Sequence, residues 1–134
     1  MKNVTYQQTL EAMRAAVEEK GEKYVYQRPK NPHIPGDKLG SCLNTSADGK
    51  EPGCLVGNVF HRLGVPLEWL FTPEIINNSA GGVISALRQR EEYEFDEKSY
   101  KLLAEAQSLQ DQGAPWGQAL TNAISYVETG VHVD

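Results

Sequence analysis

Apolar residues recur along much of this chain at the three- and four-residue steps of a helix. Tyr6, Leu10, Met13 and Val17 line one such face; Asn3 or Thr5 is placed to cap its start, and Gly21 to stop it. Leu102, Leu103, Ala106 and Leu109 mark a second face, opened by Asp96 and closed by Gly113. Trp116, Ala119, Leu120, Ala123, Ile124 and Val127 mark the last, from Pro115 to Gly130. Between them, Val83, Ile84 and Leu87 predict a helix capped by Ser79, with Gly81-Gly82 weakening its start. Leu67, Trp69, Leu70 and Phe71 form a short apolar segment. Thr72-Pro73-Glu74 reads as a cap followed by proline in the first helical position. The charged run from Arg88 to Asp96 reads as solvated.

The pattern changes between Lys23 and Lys50. Lys23 to Gln27 is rich in strand formers, and Tyr24 and Tyr26 share one of its faces. Pro29, Pro32 and Pro35 then forbid regular structure to about Lys38. Ser41 to Thr45 reads as a second strand, followed by an Asp48-Gly49 turn. Pairing these two segments gives a two-stranded antiparallel ribbon. The expected fold is therefore α+β and mostly α: an N-terminal helix, the ribbon, then a small bundle of four to five helices. No linker divides the chain, so residues 1–134 read as one domain.

Composition narrows the classes of function. The net charge is -5, with 13 Lys and Arg against 18 Asp and Glu. That argues against nucleic acid and against anionic membranes, since both need a basic face. No apolar run is long enough for a signal peptide or a membrane span, so a cytoplasmic location is expected. Two cysteines are too few for a disulfide framework. Cys42 and Cys54 flank the predicted turn and are able to approach one another; two free thiols in a reducing compartment is the simpler expectation.

The densest group of chemically useful side chains lies on a predicted helix from about Cys54 to Leu63. Leu55, Val56, Val59, Phe60 and Leu63 gather on one side, which is core. The other side holds Cys54, Gly57, Asn58, His61 and Arg62, with none of the Glu, Lys or Gln of an ordinary solvent face. Two readings fit. Either this is a contact surface, or the helix is packed on both sides with Gly57 making room for a neighbour. As a contact surface it would be extended by Tyr24, Tyr26 and the Pro29-to-Lys38 loop with His33. Arg62 and His61 would take an anionic or carbonyl group, and Asn58 would give directional hydrogen bonds.

Cys54 at a helix start suggests a nucleophile, because the helix dipole lowers a thiol pKa. His61 cannot be its base on one continuous helix, since seven residues rise about 10.5 Å where roughly 3 Å is needed. A cysteine-bearing helix start is similar to that of NlpC/P60 peptidases, but their Cys-Ser-Gly opening and following strands are absent. His33, Cys42, Cys54 and His61 match no zinc spacing, so no metal or other cofactor is expected. No residue is assigned as catalytic.

Pro52-Gly53-Cys54-Leu55-Val56-Gly57, followed by His61-Arg62-Leu63-Gly64-Val65-Pro66-Leu67, resembles a set of small uncharacterised proteins of actinobacteria and their phages. Tyr24-Val25-Tyr26, Gln110-Asp111-Gln112-Gly113, Trp116-Gly117 and Ala119-Leu120 extend the likeness. The resemblance implies a bacterial or phage-encoded protein, with a phage- or mobile-element accessory protein expected, acting in the cytoplasm of a bacterial host. It carries over no activity and no site residue. The expected function is non-enzymatic binding of a host protein or small ligand. The alternatives are a cysteine-dependent enzyme using Cys54, a nucleic-acid binder, and a self-assembling structural protein or homo-oligomer.

Overall fold

The computed structural model describes residues 1–36, 40 and 42–132. Its elements in chain order are β1 (Lys2–Val4), α1 (Tyr6–Lys20), α2 (Leu55–Arg62), α3 (Leu67–Leu70), α4 (Ala80–Gln89), β2 (Tyr93–Phe95), α5 (Glu97–Asp111) and α6 (Trp116–Thr129). The chain is mostly helical, with a helix at the N-terminal side and five more after residue 54, as the apolar spacing predicts. No helix among the described residues is long and apolar enough to cross a membrane.

The small sheet departs from expectation. It is parallel, and it pairs β1 with β2 in the register Lys2↔Tyr93, Asn3↔Glu94 and Val4↔Phe95. β2 lies inside the stretch expected to be solvated, yet Tyr93 and Phe95 are buried. Each strand runs straight into a helix. Asp96 joins the two: its carboxylate accepts from Ser99 N in the first turn of α5 and from Tyr6 N at the start of α1, both at 2.8 Å. Thr5 and Gln8 complete a capping box on α1. The helices therefore start side by side, and their buried Thr9 and Ser99 hydroxyls meet at 3.0 Å.

Among the described residues the predicted antiparallel ribbon does not form, for a reason visible in its hydrogen bonds. The carbonyls of Glu22 and Tyr24 accept from Gly117 N and Trp116 N, the free donors of the first turn of α6. That segment is spent on capping a helix and has no ladder to offer. The second segment pairs elsewhere. Leu43 and Asn44 carbonyls accept from Cys54 N and Gly53 N, and a single antiparallel bridge joins Thr45 to Pro52. Proline lacks the donor that would extend it. Ser41, part of the predicted strand, lies outside the described residues, as do Asp37 and Lys38 of the predicted loop. Thr72-Pro73-Glu74 opens turns and not a helix, with Ile75 N and Ile76 N both donating to Thr72 O.

The core is continuous from Val4 to Ala123. α2 lies within it, with Leu55, Val56, Val59 and Phe60 all at 1% exposure or less. Phe60 meets Phe95 edge-on at 5.6 Å, tying α2 to the sheet.

Candidate functional site

The polar face of α2 is divided along its length. Cys54 is 1% exposed and Asn58 4%. Gly57 sits under the 44–45 backbone, where a Cβ would lie 2.0 Å from the Asn44 carbonyl oxygen. Asn58 Nδ2 donates to the carbonyls of Gly53 and Cys54 at 2.9 and 3.0 Å, which fixes the chain's entry into the helix. This half is packed on both sides. The other half is open: His61 and Arg62 are exposed. They line a cleft of about 350 Å³ together with Glu19 and Lys20 from the end of α1, and Glu51, Pro52 and the edge of Asn58. Arg62 makes an ion pair with Glu19 across it. The cleft thus carries two cations, two carboxylates and an imidazole.

Tyr24, Tyr26 and His33 do not join this surface. Tyr24 packs edge-on against the fully buried Trp116 at 4.7 Å. The Tyr26 hydroxyl accepts from Leu43 N at 3.1 Å, and burial raises its pKa above the ordinary phenol range. His33 Nε2 lies 3.1 Å from the Phe71 carbonyl, on another part of the molecule. Of the eight residues picked out in the sequence, the structure gathers Asn58, His61 and Arg62 at one opening.

A second constellation brings two glutamines, not singled out in the sequence, to the Cys42 and Cys54 region. Cys42 is half-buried; Cys54 is buried, with its N–H donating to the carbonyl of Leu43, the residue after Cys42, at 2.8 Å. Two glutamines one turn apart on α5 converge on the Cys42 sulfur, Gln110 Nε2 at 3.5 Å and Gln107 Nε2 at 4.0 Å. Their amide orientation is fixed at the other end. Gln110 Oε1 accepts from Leu55 N at the start of α2, at 2.8 Å, and Gln107 Oε1 accepts from Ala80 N at the start of α4, at 2.7 Å. Only an oxygen accepts from an N–H, so each nitrogen must face the sulfur. Hydrogen bonding from Cys54, aided by Gln110, lowers the Cys42 pKa below the ordinary thiol value, against burial and the Asp111 carboxylate. The same contact, with complete burial, raises that of Cys54. The Cys54 thiol proton has a further acceptor in Asn44 Oδ1, at 3.8 Å. Gln107 and Gln110 at i, i+3 share a face of α5, but nothing in that spacing points to a cysteine more than sixty residues upstream.

No protein-family model matches the chain, and no curated protein or solved structure is significantly similar to it.

Proposed function

We propose that the protein acts by non-enzymatic binding, and that its contact site is the cleft formed by His61, Arg62, Lys20, Glu19 and Glu51. The ligand group is a carboxylate, phosphate or carbonyl, carried by a small molecule or by the surface of a partner protein. The observation that supports this reading is the division of α2. Its buried half locks the 44–53 segment in place, and so holds His61 and the Arg62 guanidinium of its exposed half on a rigid helix end beside a preformed opening. Cations at a helix C-terminus are held favourably by its dipole, and Arg62 presents a planar fork suited to two-point recognition.

Glu19 already occupies Arg62, so an incoming anion competes with it. Glu19→Gln is therefore expected to tighten anion binding, and Arg62→Glu to abolish it. Amide chemical-shift titration with inorganic phosphate and with N-acetylglycine reads both. Saturable shifts at Lys20, His61 and Arg62 support the reading; shifts confined to other parts of the molecule, or none, refute it.

A further inference from the structure

The thiol centre is separate from the cleft and has a chemistry of its own. We propose that Cys42 and Cys54 form a peroxide-responsive pair, in which a small hydroperoxide oxidises Cys42 and Cys54 resolves it to a disulfide. This does not rest on the binding role of the cleft.

Three observations support it. First, the Cys42 sulfur is the focus of two oriented amide donors, and each is held by a helix start through its own oxygen. That arrangement favours a thiolate, since the donors are aimed at the sulfur whether or not it carries charge. Second, the partner is in place. Cys54 N donates to Leu43 O at 2.8 Å, which sets Cys54 beside the 42–43 backbone, and the one Gln110 amide spans from the Cys42 sulfur to the N–H of Leu55, the residue after Cys54. Third, the two sulfurs differ in access. Cys42 is half-buried, whereas Cys54 is 1% exposed. An attacking thiol must be reached from outside, and a resolving thiol need only reach the first. The partly closed surroundings favour an oxidant as small as hydrogen peroxide over a bulky disulfide.

The steps balance. The Cys42 thiolate attacks one peroxide oxygen: an S–O bond forms, the O–O bond breaks, and the departing hydroxide takes up a proton to leave as water. Cys42 is then a sulfenic acid. The Cys54 sulfur attacks the Cys42 sulfur: the S–S bond forms and the S–O bond breaks. The hydroxyl leaves as a second water with the Cys54 proton. Two thiols and one peroxide become one disulfide and two waters. The charged and titratable groups facing the pair are Asp111, whose carboxylate accepts from Gln110 Nε2 at 3.1 Å, and Tyr26.

The test is to add hydrogen peroxide to the reduced, folded protein, quench with an alkylating agent and map the peptides. The expected main product is the Cys42–Cys54 cross-link, formed at least about tenfold faster than in the same chain unfolded in urea. In Cys54→Ser, dimedone should capture a sulfenic acid at Cys42; in Cys42→Ser, Cys54 should stay reduced. Should Cys54→Ser lose its fold by circular dichroism, the cross-link map of the unaltered protein decides alone. Equal rates in folded and unfolded chains would overturn the proposal. So would modification of Cys54 first, or conversion of Cys42 to a sulfinic acid while Cys54 stays reduced.

Discussion

Gln110 holds the first N–H of α2 with its oxygen and points its nitrogen at the Cys42 sulfur, 3.5 Å away. One side chain thus does two separable jobs. Gln110→Glu keeps an oxygen for Leu55 N but replaces the donor to sulfur with an acceptor. Gln110 is 4% exposed and its nitrogen also donates to the Asp111 carboxylate at 3.1 Å, so the expected result is a lowered melting temperature and, in the folded protein, a pH midpoint of Cys42 alkylation moved upward. Rates of reaction with iodoacetamide across pH measure it. An unmoved midpoint would mean that the amide does not act on the thiol.

Asp96 caps α1 and α5 at once, with one oxygen for each. Burial works to raise its pKa, but the hydrogen bonds from Ser99 and from Tyr6 N outweigh that and hold it below the ordinary value. The group is depressed in the folded state, so its stabilisation is fully present above the unfolded value near pH 4. It is lost as pH falls through the folded value. Asp96→Ala is expected to cost about 1–2 kcal/mol at neutral pH. Asp96→Asn, with one acceptor oxygen instead of two, should cost less. Urea unfolding at neutral and acid pH checks both, and the gap between parent and Asp96→Ala should shrink on the acid side.

Gly57 lies where the 44–45 backbone crosses α2. A methyl there would stand 2.0 Å from the Asn44 oxygen and 2.7 Å from its carbonyl carbon, backbone atoms that cannot swing aside as a side chain does. Gly57→Ala is expected to destabilise by at least about 2 kcal/mol, despite the better helix propensity of alanine. A neutral result in thermal unfolding would show that the loop is able to lift.

The legible parts of the fold were those with local punctuation. Thr5, Asp96, Pro115 and Gly130 each bound a helix where their chemistry says they should. β1 and β2 were not legible, because three residues carry no period and their partners lie about ninety positions apart. In hindsight, Tyr93-Glu94-Phe95 alternates as a strand should, but the surrounding charges hid it. Tyr24-Val25-Tyr26 has strand propensity, and the unpaired donors at the start of α6 took its backbone instead. At the site, the composition of α2 showed an unusual face but not where along the helix it changes from packed to open. The Cys42 centre depends on two glutamines more than sixty residues downstream, and no local pattern joins them to it.

The proposed binding makes His61 and Arg62 the working half of α2 and leaves Gly57 and Asn58 structural. Asn58→Ala should cost about 1–2 kcal/mol, since it leaves the Gly53 and Cys54 carbonyls without their amide partner. His61→Ala should stay within about 0.5 kcal/mol of the parent.

The most direct measurement is the amide chemical-shift titration of the parent and of Arg62→Glu with inorganic phosphate and N-acetylglycine, with thermal unfolding recorded on the same samples. Binding at the cleft predicts saturable shifts at Lys20, His61 and Arg62 in the parent, and their loss in an Arg62→Glu protein that melts with the parent. An Arg62→Glu protein that binds as well as the parent, or a parent with no shifts at the cleft, would contradict it.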